Sequence, residues 1–159
     1  MKILAFDPGY DRLGIAVIER ISGNDSLLFS TCILTDKNDE FSDRLMHVGN
    51  AVADCIETYA PNAVAIETLF FNKNVKTAIG VAQARGIIVF LAKKAGCVVH
   101  EYGPQEIKVA VTGYGKSDKN AVIDMVKRLV KNAPLKAHDD EYDAIAVGIT
   151  ALAHYREHA

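Results

Sequence analysis

Two apolar runs of strand length, residues 3–6 in "KILAFD" and 63–66 in "AVAIE", each lead directly into a carboxylate, Asp7 in the first and Glu67 in the second. Short apolar runs bounded by turn residues read as buried β-strands, and Pro8-Gly9 stops the first one. A charge at the tip of a buried strand is costly unless it is paired or binds a cation. The fold must therefore bring something to these two strand ends. The C-terminal ends of strands are where open α/β sheets hold ligands. If the two strands lie side by side, Asp7 and Glu67 point into one crevice.

The rest of the pattern supplies the sheet around them. "LGIAVIE" resumes as a second strand and residues 26–35, "SLLFSTCILT", read as a third, with connections short enough for an antiparallel meander. Leu45, Val48, Val52 and Ile56 fall at helical spacing and predict a helix over about 41–59, with Ser42 or Asp39 as its cap and Pro61 just beyond its end. "AVAIE" is the fourth strand, 75–95 a helix rich in small residues that stops near Gly96, and "CVVHEY" the fifth strand. Helices follow at about 104–112, 118–131 and 140–156, with the glycine-rich loop "TGYGKS" between the first two. This order predicts a single α/β domain over residues 1–159, a five-stranded mixed sheet (antiparallel meander plus parallel strands) flanked by helices.

Charge is segregated along the chain. Residues 1–71 sum to −6 and residues 137–159 to −4, whereas residues 72–136 carry 12 Lys/Arg against 4 Asp/Glu, net +8. A basic segment of this kind suits a polyanion, because clustered Lys and Arg release counterions from phosphates. Cys32, Cys55 and Cys97 are scattered, lack metal-ligand spacing, and are expected as small core residues of a reduced, cytoplasmic protein. No uninterrupted apolar stretch of about 18 residues occurs, so no membrane span is expected. No signal-peptide pattern opens the chain.

A second acidic pair lies in "HDDEYDAIAVGITAL". Asp140 and Asp143 are three apart at the start of an apolar helix and share a face; Asp139 and Asp143, four apart, share one nearly as well. Carboxylates brought together from this helix and the strand ends would raise one another's pKa. They make sense with hard divalent cations between them, and an all-oxygen donor set suits Mg²⁺ or Mn²⁺. Two such ions serve phosphodiester hydrolysis.

Four blocks, "FDPGYDRLGIAV", "AIETLFFNKNVKTAIGVAQARGIIV", "EYGPQEIKVAVTGYGKSDKNAV" and "DDEYDAIAVGITAL", resemble the RuvC family of Holliday-junction resolvases in the RNase H-like superfamily. The resemblance runs from about residue 3 to residue 154. It implies a Mg²⁺-dependent endonuclease with two ions per site, Mn²⁺ substituting, and Asp7, Glu67, Asp140 and Asp143 as ligands. It selects Asp140 over Asp139. Lys108 and Lys119 match basic residues near the scissile phosphate, and Phe70 matches an aromatic that engages unpaired bases at the crossover. Phe71, Lys73, Lys76, Arg85 and Lys116 are further candidates for DNA contact. The implied partners are four-way junction DNA, a second copy of the chain, and a branch-migration motor of RuvA with RuvB.

Overall fold

The computed structural model describes residues 1–68 and 75–155. β1 (Lys2–Asp7), β2 (Arg12–Ile21) and β3 (Asn24–Leu34) precede α1 (Phe41–Tyr59) and β4 (Ala63–Glu67). α2 (Val75–Lys94), β5 (Val98–Tyr102), α3 (Pro104–Thr112), α4 (Lys119–Leu129) and α5 (Asp139–His154) follow. The five strands form one sheet in the order β3-β2-β1-β4-β5. β1 and β2 are antiparallel, as are β2 and β3, while β4 runs parallel to both β1 and β5. The mixed sheet read from the sequence is therefore present, and β1 and β4 are neighbours.

Two local readings differ. β2 and β3 run longer than expected and meet at Ser22 and Gly23, both with positive φ (50° and 78°). Two successive residues of that kind match the twist of a tight hairpin. At the start of α1 neither Ser42 nor Asp39 caps. Glu40 occupies the N-cap with no side-chain bond, because Asp39 is taken up in a turn, its N–H donating to the Asp36 carbonyl at 3.2 Å.

Period-2 alternation sorts β1 onto two cores. Leu4 and Phe6 pack with Val48 and Val52 of α1 and with Ala84 and Ile88 of α2. Ile3 and Ala5 pack with α5 through Ala144, Val147 and Ala151. β4 divides in the same way, Val64 and Ile66 on the first face and Ala63 and Ala65 on the second. Asp7 and Glu67 continue the Ile3-Ala5 and Ala63-Ala65 series, so both belong to the face covered by α5. That face is made of small residues, and a Cβ at Gly148 of α5 would lie 2.6 Å from Ile18 Cδ1 and 3.4 Å from Ala5 Cβ. The helix thus lies close on the sheet.

α2 is long and apolar enough to cross a membrane by length and composition alone, although no uninterrupted apolar stretch runs through it. Its buried stripe of Gly80, Ala84, Ile88 and Ala92 seats it on the sheet instead, and Arg85 at its middle is ion-paired with Glu101 of β5. This stripe places Gly80, Ala84 and Ala92 in the core against the chain's own sheet. Cys55 and Cys97 are buried as expected; Cys32 is half-buried, and all three thiols are free.

Candidate active site

The parallel register of β1 and β4, with Phe6 beside Ile66, leaves Asp7 and Glu67 adjacent at the same sheet edge. Their carboxyls lie close enough to perturb one another's ionisation. Burial pushes the Asp7 carboxyl up to about 8, and the neighbouring charges of Glu67, Asp143 and Asp140 add to that rise. Glu67 is raised by burial and then by Asp143. Asp143 is also raised, by burial against the opposing pull of Lys119. Three side chains from two strands and one helix thus penalise one another's charge, and Asp140 contributes to the same field.

α5 delivers its pair from its N-terminal end, Asp140 in the first turn and Asp143 just beyond it. Its acidic residues lie at the positive end of the helix, which favours negative charge. The side chain of Asp140 is 21% exposed and that of Asp139 63% exposed, so Asp140 is the one turned toward the sheet. Asp140 Oδ2 is 3.3 Å from Arg12 Nε, yet the atom is buried and has no hydrogen-bond partner among the described residues. Glu141, between the two, is held away from the cluster by Ser30, whose hydroxyl donates to its carboxylate at 2.5 Å.

The basic residues approach from α3 and α4. The glycine-rich loop between these helices is pinned by a 2.6 Å bond between the hydroxyls of Thr112 and Ser117. Asp118 then caps α4 by accepting from Ala121 N–H at 2.8 Å. That fixes Lys119 as the first residue of α4, and its Nζ donates to Asp143 at 3.0 Å and lies 3.5 Å from Asp139. Burial lowers the Lys119 pKa, but the bond and charge of Asp143 outweigh it and the net shift is upward. A cavity of about 290 Å³ opens beside the carboxylates, lined by Glu67, Asp143, Lys108 and Lys119 over an apolar floor of Ile107, Val122 and Ala146.

Among the described residues, no three His, Cys, Asp or Glu side chains are arranged as they stand to hold one metal ion. The carboxylates come together, but each turns to a local partner: Asp7 to Glu67, Asp143 to Lys119, Asp140 to Arg12. The donor set nevertheless fits a hard cation. It is all oxygen, it is half-buried, its members repel one another, and among the described residues Asp140 Oδ2 lacks a donor.

The other candidates separate. Lys76 and Lys116 are exposed. Arg85 is engaged with Glu101. Phe70, Phe71 and Lys73 lie outside the described residues. Two site residues escaped the sequence reading. Arg12 carried no spacing signal. Gly14 did: a glycine inside a strand pattern marks a close backbone approach.

Amines beside buried carboxylates suit chemistry on a phosphate ester, and a mixed sheet of this order is the RNase H-like arrangement. The fold and site together define a nuclease-type domain. The profile of the family described as crossover junction endodeoxyribonuclease RuvC matches residues 3–151. Proteins of that name from Petrotoga mobilis and Thermosipho melanesiensis are both 41% identical, covering 97% and 92% of this chain and 93% and 94% of their own. The structure of Thermus thermophilus RuvC in complex with Holliday junction substrate superposes with a TM-score of 0.88 at 28% identity, over 94% of this chain and 92% of that one. The chain belongs to the RuvC family of crossover junction endodeoxyribonucleases, and resolution of Holliday junctions is the activity that membership carries.

Proposed function

We propose that the chain, as a homodimer, nicks two strands of like polarity in a four-way DNA junction, leaving 3′-hydroxyl and 5′-phosphate ends. Asp7, Glu67, Asp140 and Asp143 would hold two divalent cations, Mg²⁺ by preference with Mn²⁺ able to substitute. Bound there, such cations activate a water and stabilise charge on the leaving oxygen. The observation that carries this reading is the gathering of the carboxylates, with Asp7 pushed up to about 8 by burial and by Glu67, Asp143 and Asp140. A cluster that penalises its own charge so strongly is one that cations would relieve.

The chain's own groups do the rest. Lys119, which donates to Asp143 at 3.0 Å, favours the charged form of that carboxyl against its burial and presents an ammonium to a phosphate in the adjoining cavity. Lys108 lines the same cavity from α3. An amine placed there stabilises negative charge as it develops. The apolar floor limits water at the reacting ester.

The dimer reading is supported by the outer face of α1 and α2, where Met46, Ile79 and Phe90 are 60%, 56% and 63% exposed beside an open groove. Twofold symmetry in the protein then matches two equivalent strands in the junction. Phe70 would stack on bases unpaired at the crossover, Phe71, Lys73, Lys76, Arg85 and Lys116 would add contacts to the arms, and RuvA with RuvB would supply branch migration.

The test is incision of a synthetic mobile junction against a linear duplex of the same sequence, with and without Mg²⁺. Junction-selective, divalent-dependent cutting is expected. Asp7→Asn should abolish it and leave junction binding intact, because it removes a ligand and not the basic surface. Equal loss of both in a folded variant would count against the assignment.

A further inference from the structure

Gly14 stands opposite Asp7 in the β1–β2 register and opposite Cys32 on β3. A Cβ built on it would lie 1.9 Å from the carbonyl oxygen of Asp140, 2.6 Å from the carbonyl carbon and 3.2 Å from Asp7 Cβ. The first two are backbone atoms of α5, so no change of rotamer relieves the clash. The start of the helix would have to retreat by roughly 1.5 Å to restore ordinary contact. Gly14 does not have the positive φ that requires glycine elsewhere in the chain. A glycine in a strand costs conformational entropy and packs nothing. Close approach of the helix that bears the acidic pair is the physical reason left for it.

We propose that Gly14 is a positioning residue for the carboxylate cluster: by carrying no side chain it sets the spacing between Asp7 on the strand and Asp140 and Asp143 on the helix, and so determines which divalent cation the site takes. This rests on the reading that these carboxylates hold such cations. Mg²⁺ demands near-ideal octahedral geometry at short oxygen distances, while larger cations accept looser arrangements. A helix start displaced by about an ångström penalises Mg²⁺ first.

The experiment compares Gly14→Ala with Gly148→Ala. Gly148 also faces the sheet, but a Cβ there meets chiefly the movable Cδ1 of Ile18 and lies two turns along α5 from Asp140. Mn²⁺ binding to the DNA-free protein is followed by electron paramagnetic resonance, Mg²⁺ by competition against it, and folding by thermal unfolding. G14A should fold, bind the junction as the wild type does, and bind Mg²⁺ about 10–100-fold more weakly. It should recover more cutting in Mn²⁺ than in Mg²⁺. G148A should keep the wild-type preference between the two ions. Wild-type Mg²⁺ affinity in G14A overturns the proposal. So does an equal loss in G148A, or a G14A chain that does not fold, since either makes the glycine a requirement of helix docking in general. Wild-type protein that binds Mn²⁺ no better than D7N overturns instead the cation reading beneath the proposal.

Discussion

Asp7 should destabilise the very domain it serves, and Asp7→Asn should show by how much. Asparagine keeps the shape and cannot ionise. In the folded chain the Asp7 carboxyl is pushed up to about 8, from 3.8 for an isolated one. Between those pH values the folded chain holds a proton that the unfolded chain has released, so stability falls as pH rises. The fall is about 1.4 kcal/mol per pH unit, full stability being present below about pH 4 and the loss complete above about pH 8. Summed over that window, the charge costs roughly 6 kcal/mol. If relaxation of the first turn of α5 takes up half, about 3 kcal/mol is still recovered by removing the charge, or about 6–12 °C in Tm for a domain of this size.

The assay is thermal unfolding in a chelator at pH 5 and pH 8. D7N should unfold higher than the wild type at pH 8, and the gap should shrink at pH 5. Added Mg²⁺ at pH 8 should raise the wild type toward D7N and move D7N little, because a ligand that binds only the folded state stabilises by mass action. Equal or lower Tm for D7N at pH 8 would refute the reasoning, as would a difference that does not change with pH.

Lys119→Ala should slow single-turnover cutting of a prebound junction by about 10²-fold. It should also move the acid limb of the pH–rate profile upward, because the ammonium that holds the Asp143 carboxyl down is gone; an unchanged rate and profile would remove Lys119 from the site. Phe70→Ala should impair cutting of a fully paired junction more than one with pre-opened central pairs, by an amount near the about 1–3 kcal/mol of one base–aromatic stack, and equal impairment of the two substrates would assign Phe70 to packing. Arg44, buried and bonded to Asp11 and to Thr35 Oγ1 (3.0 Å), closes the turn after Asp7. Arg44→Ala should cost about 1–2 kcal/mol of stability in urea unfolding, through the lost packing of its buried side chain and the lost bond to Thr35, since Asp11 is 64% exposed and is taken up by water, and a change below about 0.5 kcal/mol would show that the turn holds without it.

The elements were legible because each obeys a local rule. A strand ends at Pro8, a helix stops at Gly96, and Pro104 opens another. The two strand-end carboxylates were legible for the same reason, since a charge closing an apolar run conflicts with burial wherever the chain goes next. What local rules do not contain is the distance between α5 and the sheet. That distance comes from facing small residues far apart in sequence, Ala5, Ala16 and Ala65 against Ala144, Gly148 and Ala151. It decides which of Asp139 and Asp140 turns inward, a choice that spacing alone left open. Arg12 went unread for the same reason, and Gly14, whose place inside a strand marks a close approach, does not say what approaches: each acts on Asp140 across more than 120 positions of chain. The loop at 112–117 has the same limit: its glycines mark a turn but not its closure, which the hydroxyls of Thr112 and Ser117 supply, and that closure starts α4 where Lys119 meets Asp143. The acidic cluster is therefore not a property of any one motif. It follows from a helix allowed to approach a sheet closely enough for its first turn to overlie the end of β1, and a single methyl group at position 14 is enough to test whether that closeness is what the chemistry requires.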